Sequence, residues 1–331
     1  MDGTGDRRTV RPVSAERNRG LVAILSANII FGLNVPVTKA LVAQWMTPTG
    51  YTMTRMFFGA IVFWTIGLFQ KDERVRGWDL GLLAVGGLLG YLGTQFLFAL
   101  SLRHTTPVHF SLLMALTPVV VLALSALLLK ERVTPRKLFG SALSVSGASI
   151  MILWAHDGPG TGVQDGLGLL YAALCMLCFA AYLLLTRQVA LRYRPVTVAK
   201  WMFLFSALVL LPFVASGLPG QRIYSAEIDL SGIALLAFAL LFSTTLAFFL
   251  MPFALRRLQA STVSIFMNLQ PVVAAVVAIA VGQDVLTGDK LVAALLVLAG
   301  VHLVTRPAKQ AGDPVHIGND AGGLRVKVVK E

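Results

Sequence analysis

Ten long apolar stretches, separated by short polar segments, make up most of this 331-residue chain. An α-helix needs about 20 mostly apolar residues to cross the ~30 Å hydrocarbon core of a bilayer. Lipid accepts only segments whose backbone hydrogen bonds are closed internally. Composition agrees, because 13% of the residues are charged and 56% are hydrophobic, whereas soluble domains carry about 25% charged residues. The sequence therefore predicts an all-α integral membrane protein with ten transmembrane helices.

The predicted spans are Gly20 to Ala43, Gly50 to Phe69, Leu80 to Leu102, His109 to Leu129, Leu138 to Trp154, Leu167 to Thr186, Val196 to Gly217, Ser231 to Leu255, Thr262 to Gly282 and Leu291 to Thr305. With a cytoplasmic amino terminus, 23 of the 28 Lys and Arg residues fall in cytoplasmic segments. Arg103, Arg222 and Lys290 fall outside, and the remaining two, Lys39 and Arg55, lie within or at the ends of spans. Basic residues favour the cytoplasmic side of a membrane protein. We therefore expect a multi-pass protein of the cytoplasmic (inner) membrane with both termini cytoplasmic.

The chain also contains an internal repeat. An offset of 153 positions aligns Met114 with Met267, Pro118 with Pro271, Glu131 with Asp284, Thr134 with Thr287 and Gly147 with Gly300. A weaker match, at an offset of 148, aligns Phe31, Asn34 and Lys39 with Phe179, Tyr182 and Arg187. Each half holds five spans, an odd number, so the second half enters the membrane in the opposite direction. Inverted repeats of this kind enclose a central site near the midplane in secondary transporters.

These boundaries predict four parts of the chain. Residues 1–19 form a cytoplasmic tail, 20–157 the first five-helix repeat, 158–306 the second and inverted repeat, and 307–331 a disordered cytoplasmic tail. The net charge of +12 is explained by the basic cytoplasmic segments, and no nucleic-acid partner is expected.

The segment from Leu129 to Thr134 has the form L-x-E-R-x-T, and a Gly-rich closing span follows from Gly140 to Gly147. With Lys39 closing the first span and Arg55 near the start of the second, this pattern resembles the EamA family of the drug/metabolite transporter superfamily. The resemblance covers Gly20 to Thr305. It implies ten helices in two inverted halves and export of a small metabolite, with amino acids and their analogues as the leading class.

We therefore expect a secondary transporter that works by alternating access, with a small solute and membrane lipid as partners and no cofactor. Carriers of other solutes (nucleotide-sugar, phosphorylated or cationic drug-like) remain alternatives, as does a membrane protein that transports nothing. An enzyme is not expected, because no cluster of His, Asp or Glu stands at an interface. No acidic residue lies in the middle of a span, which favours uniport or exchange over proton coupling. The oligomeric state is open, with a monomer plausible.

Polar side chains inside spans are costly and mark candidate sites. The candidates for a solute cavity are Asn28, Asn34, Lys39, Arg55, Tyr91, Gln95, His109, Tyr182, Thr244 and Asn268. Lys39 could meet an anionic group or extend to the headgroups, and Arg55 could be a cavity charge or an interface anchor. Tyr91 and Gln95 are four residues apart, which places both on one side of a regular helix. His109 could titrate or stand at the interface. A membrane Thr such as Thr244 often bonds its own backbone instead of a ligand.

Overall fold

The computed structural model describes residues 13–71, 73–105, 110, 113–114, 116–130, 133–154, 165–224, 229–270, 272–273, 276, 288–305, 317–318 and 325–326. Its helices are α1 (Val13–Gln44), α2 (Pro48–Leu68), α3 (Gly77–His104), α4 (Thr117–Leu128), α5 (Pro135–Trp154), α6 (Asp165–Ala190), α7 (Pro195–Gly217), α8 (Leu230–Leu255), α9 (Ala260–Ile265, continued by the 3₁₀ turn Phe266–Asn268) and α10 (Gly288–Thr305). A further 3₁₀ turn covers Arg222–Tyr224. Two short strands, β1 (Ile317–Gly318) and β2 (Arg325–Val326), pair antiparallel.

Five of the described helices, α1, α3, α6, α7 and α8, are long and apolar enough to cross a membrane. Helix α2 has 21 residues and α5 has 20. Large apolar side chains such as Ile61 and Leu127, 67% and 76% exposed, point outward from the bundle, as expected for a surface in contact with lipid. The prediction of an all-α, multi-spanning membrane protein is confirmed.

Helix α1 begins at Val13, seven residues before the predicted span. The extension is polar and is held by ion pairs, since Glu16 contacts Arg19 at 3.1 Å and Arg257 at 2.8 Å. The Arg257 guanidinium also lies 3.7 Å from the centre of the Phe253 ring. The extension therefore ties the start of the first half to the end of α8.

The predicted disordered tail, 307–331, lies mostly outside the described residues; β1 and β2 are the parts of it that the structure describes.

The second helix of each half shows the inversion directly, because α2 and α7 pack antiparallel. Gly217, at the end of α7, faces the side chain of Met53 near the start of α2. Gly67, near the end of α2, faces Lys200 near the start of α7. Between them the rings of Phe63 and Phe203 stack with centroids 5.4 Å apart. Equivalent helices that run in opposite directions are what an in-plane pseudo-two-fold axis requires.

The remaining pairs of helices obey the same symmetry. Helix α5 packs on its equivalent α10, and α4 packs on its equivalent α9. Helix α1 packs on α8, and the symmetry-related pair, α3 and α6, packs in the same way. The α5–α10 contact is close, because a Cβ atom on Gly300 would lie 2.6 Å from the backbone oxygen of Gly140. Small residues allow this close packing of membrane helices.

A local irregularity is repeated as well. Helix α3 widens into a π-helix at Gly87–Gly93, and α8 does so at Ala239–Leu246. Adding the sequence offset of 153 to 87–93 gives 240–246, so the two segments occupy equivalent positions. π-Helical turns are rare and are frequent at functional sites. The two inverted five-helix halves predicted from the sequence are confirmed.

Candidate functional site

A partly open cavity of about 60 Å³ lies between the two halves. Helices α1 and α3 of the first half and α6 of the second supply much of its wall, with further residues from beside α4 and α9. The described wall residues are Phe31, Asn34, Val35, Thr94, Gln95, Phe98, Phe110, Met114, Cys175, Phe179, Met267 and Gln270. None of these is charged. The cavity therefore offers aromatic and thioether surface with a few neutral hydrogen-bonding groups.

Two aromatic residues of the wall come from equivalent positions. Phe31 of α1 and Phe179 of α6 are the pair that the 148-residue offset aligns, and both rings face the cavity. The inverted repeat therefore places the same side chain on two sides of the same space. An aromatic face of this kind suits the apolar part of a small organic molecule.

The polar part of the wall begins at Asn34. Its Nδ2 donates to Thr38 Oγ1 at 3.1 Å, and Thr38 Oγ1 lies 2.9 Å from the hydroxyl of Tyr51. Asn34 is 2% exposed, and its Oδ1 has no hydrogen-bond partner in the described structure. An unsatisfied buried amide oxygen costs about 1–3 kcal/mol. Asn34 therefore presents a free acceptor at the cavity wall.

Arg55 of α2 lies behind this wall and is fully buried. Its Nε donates to Thr244 Oγ1 at 2.7 Å and its Nη2 to Ser243 Oγ at 3.1 Å. Its Nη1 donates to Oε1 of Gln95 and, at 3.4 Å, to the hydroxyl of Tyr51. Three of the residues chosen from the sequence, Arg55, Gln95 and Thr244, are therefore connected by hydrogen bonds. These bonds link α2 and α3 of the first half to the π segment of α8.

Thr244, which bonds Arg55, lies in the π segment of α8, and Thr94 directly follows the π segment of α3. The hydroxyl of Thr244 donates to the backbone oxygen of Ala239 at 2.8 Å, and Thr94 bonds Leu89 in the same way at 2.8 Å. Both bonds reach back five residues, along the wider turn of a π-helix. Since the Thr244 hydroxyl donates to its own backbone, its oxygen is oriented to accept from Arg55.

Tyr91 and Gln95, four residues apart on α3, have different surroundings. Gln95 faces the cavity, whereas Tyr91 is fully buried with its ring 4.4 Å from Phe248 and 4.5 Å from Phe203. The π segment ends at Gly93, between the two residues. Tyr182 packs beside Tyr91, with ring centroids 5.7 Å apart, and is also outside the described cavity wall.

Lys39 makes helix-capping contacts in place of cavity contacts. Its Nζ donates to the backbone oxygen of Leu102 at 2.6 Å and to that of Thr105 at 3.3 Å. Both oxygens lie at the carboxyl end of α3, where carbonyl groups lack partners in the helix and a positive charge is favourable. These contacts explain the position of Lys39 inside the bundle without a role in binding a solute.

Two predicted amides lie beside the cavity, on helices that form its wall. Asn28 accepts from Gln270 Nε2 at 3.0 Å and donates to the backbone oxygen of Ile24 at 2.9 Å. Asn268 is 1% exposed and is not among the described wall residues. Neither its oxygen nor its nitrogen has a partner in the described part of the chain. His109 lies outside the described residues.

Four residues that line the cavity or bond Arg55 were not among the candidates chosen from the sequence: Gln270, Ser243, Phe31 and Phe179. Gln270 faces the cavity and links α1 to the segment after α9. Apolar residues are the background of a membrane span, so an aromatic wall gives no contrast in sequence. The offset that aligns Phe31 with Phe179 was the one available signal.

The fold and the cavity between its halves define this chain as a polytopic helical membrane protein of the inverted-repeat type. It belongs to the EamA-like transporter family, whose domain matches residues 18–153 and again residues 166–306. The resemblance noted in the sequence is confirmed. The family domain occurs twice, once in each half of the chain.

Several proteins are similar to this chain, over different shares of their length. The "Uncharacterized transporter YyaM" of Bacillus subtilis is 24% identical over 85% of this chain and 91% of its own. A "Probable terminal-alkyne amino-acid exporter" of Streptantibioticus cattleyicolor is 28% identical over 71% of this chain and 76% of its own. The "Aromatic amino acid exporter YddG" of Ancylobacter novellus is 26% identical over 34% of this chain and 38% of its own. One crystal structure superposes with a TM-score of 0.69 at 21% identity, covering 88% of this chain and 98% of the other; it supports the fold.

Proposed function

We propose that this protein is a secondary transporter that exports a small organic metabolite, an amino acid or an amino-acid analogue, by alternating access. The observation that carries the proposal is a largely apolar cavity, with a few amide and hydroxyl groups, at the contact between two inverted halves. A site in that position can face either side of the membrane when one half moves against the other. The names of two relatives, one a probable amino-acid exporter and the other an aromatic amino acid exporter, agree with this class of solute.

The chemistry of the wall favours this class over the alternatives. A carrier of phosphorylated or nucleotide-linked solutes needs several cationic groups at its site, and the described wall residues include none. A carrier of cations is helped by a carboxylate, and the described wall includes none of those either. A zwitterion with an apolar side chain matches aromatic rings, neutral amides and one buried guanidinium behind the wall.

The distribution of Lys and Arg supports the direction of insertion. The tails and the loops on one side hold 23 of the 28 basic residues. By the positive-inside rule, the protein lies in the cytoplasmic membrane with both termini in the cytoplasm. With no acidic residue in the middle of a predicted span, the proposed mode is uniport or exchange.

The test is counterflow with the purified full-length protein in liposomes. The vesicles are loaded with an excess of one unlabelled compound, and entry of the labelled compound is followed. The panel contains leucine, phenylalanine, threonine, glutamate, a sugar phosphate, a nucleotide-sugar and a lipophilic cation. We expect saturable counterflow of neutral amino acids with large apolar side chains, compared with protein-free liposomes. Counterflow of the nucleotide-sugar, the sugar phosphate or the cation, with none of the amino acids, contradicts the proposal.

A further inference from the structure

The hydrogen-bond acceptors around the Arg55 guanidinium, among the residues that the structure describes, are all neutral. Its four hydrogen-bond partners are three hydroxyl oxygens and one amide oxygen, from Thr244, Ser243, Tyr51 and Gln95. No Asp or Glu of the described residues pairs with it. A cation inside a span is expensive and ordinarily pairs with another group or lines a functional path. The charge of Arg55 is therefore hydrogen-bonded but not neutralised.

Gln95 stands between this charge and the cavity. Its side chain is part of the cavity wall, and its Oε1 accepts from Nη1 of Arg55. The other side of the guanidinium is fixed to α8 through Nε and Nη2. Nη1 is thus the part of Arg55 that lies towards the cavity. A carboxylate forms a stronger, charge-assisted bond to a guanidinium than a neutral amide does. It can take the place of the Gln95 oxygen.

We propose that Arg55 binds the carboxylate of the transported solute, and that Gln95 occupies Nη1 only until the solute arrives and displaces it. The inference rests on the proposed function and adds the chemical group that the site recognises. It also assigns different roles to the two intramembrane cations, because Lys39 is already bonded to backbone oxygens at the end of α3.

The free amide oxygen at the wall gives the solute a second contact. Asn34 Oδ1 is buried and without a partner in the described structure, so it can accept from an ammonium group. Arg55 bonds Tyr51, Tyr51 bonds Thr38, and Thr38 bonds Asn34, which connects the two contacts. The rings of Phe31 and Phe179 face the same cavity. The site thus takes a small carboxylate with an amino group and an apolar side chain.

The first test removes one group of the solute at a time. Four compounds are compared in counterflow: phenylalanine, phenylalaninamide, 2-phenylethylamine and 3-phenylpropionate. We expect the half-saturating concentration to rise about tenfold to a hundredfold when the carboxylate is lost, the range for one charge-assisted hydrogen bond. Loss of the amino group alone should have a smaller effect.

If 2-phenylethylamine is carried as well as phenylalanine, transport stands and the role of Arg55 is wrong. If none of the four is carried while other amino acids are, the solute class assigned here is wrong. If no amino acid is carried at all, the proposed function fails.

The second test changes the protein. Arg55→Gln should weaken counterflow of phenylalanine about tenfold or more and leave that of 2-phenylethylamine unchanged. A purely structural role for Arg55 predicts equal losses for both compounds, which would overturn the inference. Lys137→Gln is the control, because Lys137 is also a buried cation, with hydrogen bonds to Gln259 and Ser261, and is not among the described wall residues. It should not alter the ratio between the two compounds.

A third variant keeps the test decisive if Arg55→Gln fails to fold. Gln95→Glu supplies a carboxylate from the chain itself at Nη1, so the protein should fold while the solute carboxylate must compete for the guanidinium. We expect the half-saturating concentration of phenylalanine to rise at least tenfold, with 2-phenylethylamine carried as well as before or better. An unchanged or lowered value for phenylalanine in Gln95→Glu contradicts the inference.

Discussion

Lys39 and Arg187 make the same contact in the two halves of the molecule. Each is a cation near the end of the first helix of its half, and each donates to a backbone oxygen near the end of the third helix. The acceptors are Leu102 for Lys39 and Leu255 for Arg187. The 148-residue offset pairs the two cations and the 153-residue offset pairs the two acceptors. The inverted repeat is therefore preserved at the level of single hydrogen bonds.

This symmetry predicts that both cations stabilise the fold to a similar extent. Lys39→Met and Arg187→Met should each lower the free energy of unfolding by about 0.3–1 kcal/mol, the range for a charge at a helix terminus. The two sites lie in different halves, so the losses should add. Thermal unfolding in detergent measures both, with Lys39→Arg as the variant that keeps the charge. A loss in one variant only would show that the contacts are not equivalent.

The π segment of α3 should not tolerate a side chain on the face that meets α7. A Cβ atom at Gly87 would lie 2.6 Å from the backbone oxygen of Met202, which cannot rotate away. Gly87→Ala should therefore destabilise the protein by about 1–3 kcal/mol. Gly81 is the control on the same helix, because a Cβ there meets nothing within 4 Å. Equal melting temperatures for Gly87→Ala and Gly81→Ala would contradict the packing described for α3 and α7.

The aromatic wall should select for the side chain of the solute. Phe31→Ala and Phe179→Ala each remove a ring from the cavity, and the half-saturating concentration for leucine or phenylalanine should rise roughly tenfold. Alanine, which has little apolar surface to lose, should be affected less. Phe69→Ala is the control, since this residue is 87% exposed and is not among the described wall residues. A uniform loss for all amino acids would indicate damage to the fold in place of lost solute contacts.

The start of α8 should respond to pH through Asp229. Hydrogen bonds from Ser231, from Trp45 and from the backbone of Gly232 and Ser231 lower the pKa of Asp229 from 3.8 to about 2. A carboxyl group whose pKa is lowered in the folded state stabilises the protein above its ordinary pKa, and this contribution is lost as the pH falls towards the folded-state value. Asp229→Ala should therefore melt at a lower temperature than the parent at pH 7, and the two should converge between pH 4 and pH 2. A difference that is constant with pH would exclude the carboxylate as its source.

Much of the architecture could be predicted from the sequence because it follows from two simple patterns. Apolar length fixes the number of spans, and the offset that aligns Pro118 with Pro271 fixes the inversion. Side-chain direction inside a span was harder to predict. Tyr91 and Gln95 lie four residues apart on α3, but Gln95 is among the described wall residues whereas Tyr91 packs on the rings of Phe203 and Phe248. Spacing within one helix does not reveal which neighbours each side chain meets.

The two intramembrane cations illustrate a further limit. Lys39 and Arg55 look alike in sequence, since each is a basic residue at one end of an apolar span. Lys39 lies beside the open carbonyl groups of α3, whereas Arg55 lies among hydroxyl and amide oxygens next to the cavity. The difference depends on which helix packs beside each residue. Spacing within one span carries no information about that neighbour.

The central claim, that one cavity between inverted halves faces each side of the membrane in turn, is tested most directly by the accessibility of its wall. Val35 lines the cavity, and Val35→Cys in a chain with Cys175→Ala and Cys178→Ala gives one thiol at that place. A membrane-impermeant maleimide is applied to oriented vesicles from either side, with and without transported solute. We predict labelling from both sides and slower labelling from both sides when solute is bound. Labelling from one side only, whether solute is present or not, would contradict the account.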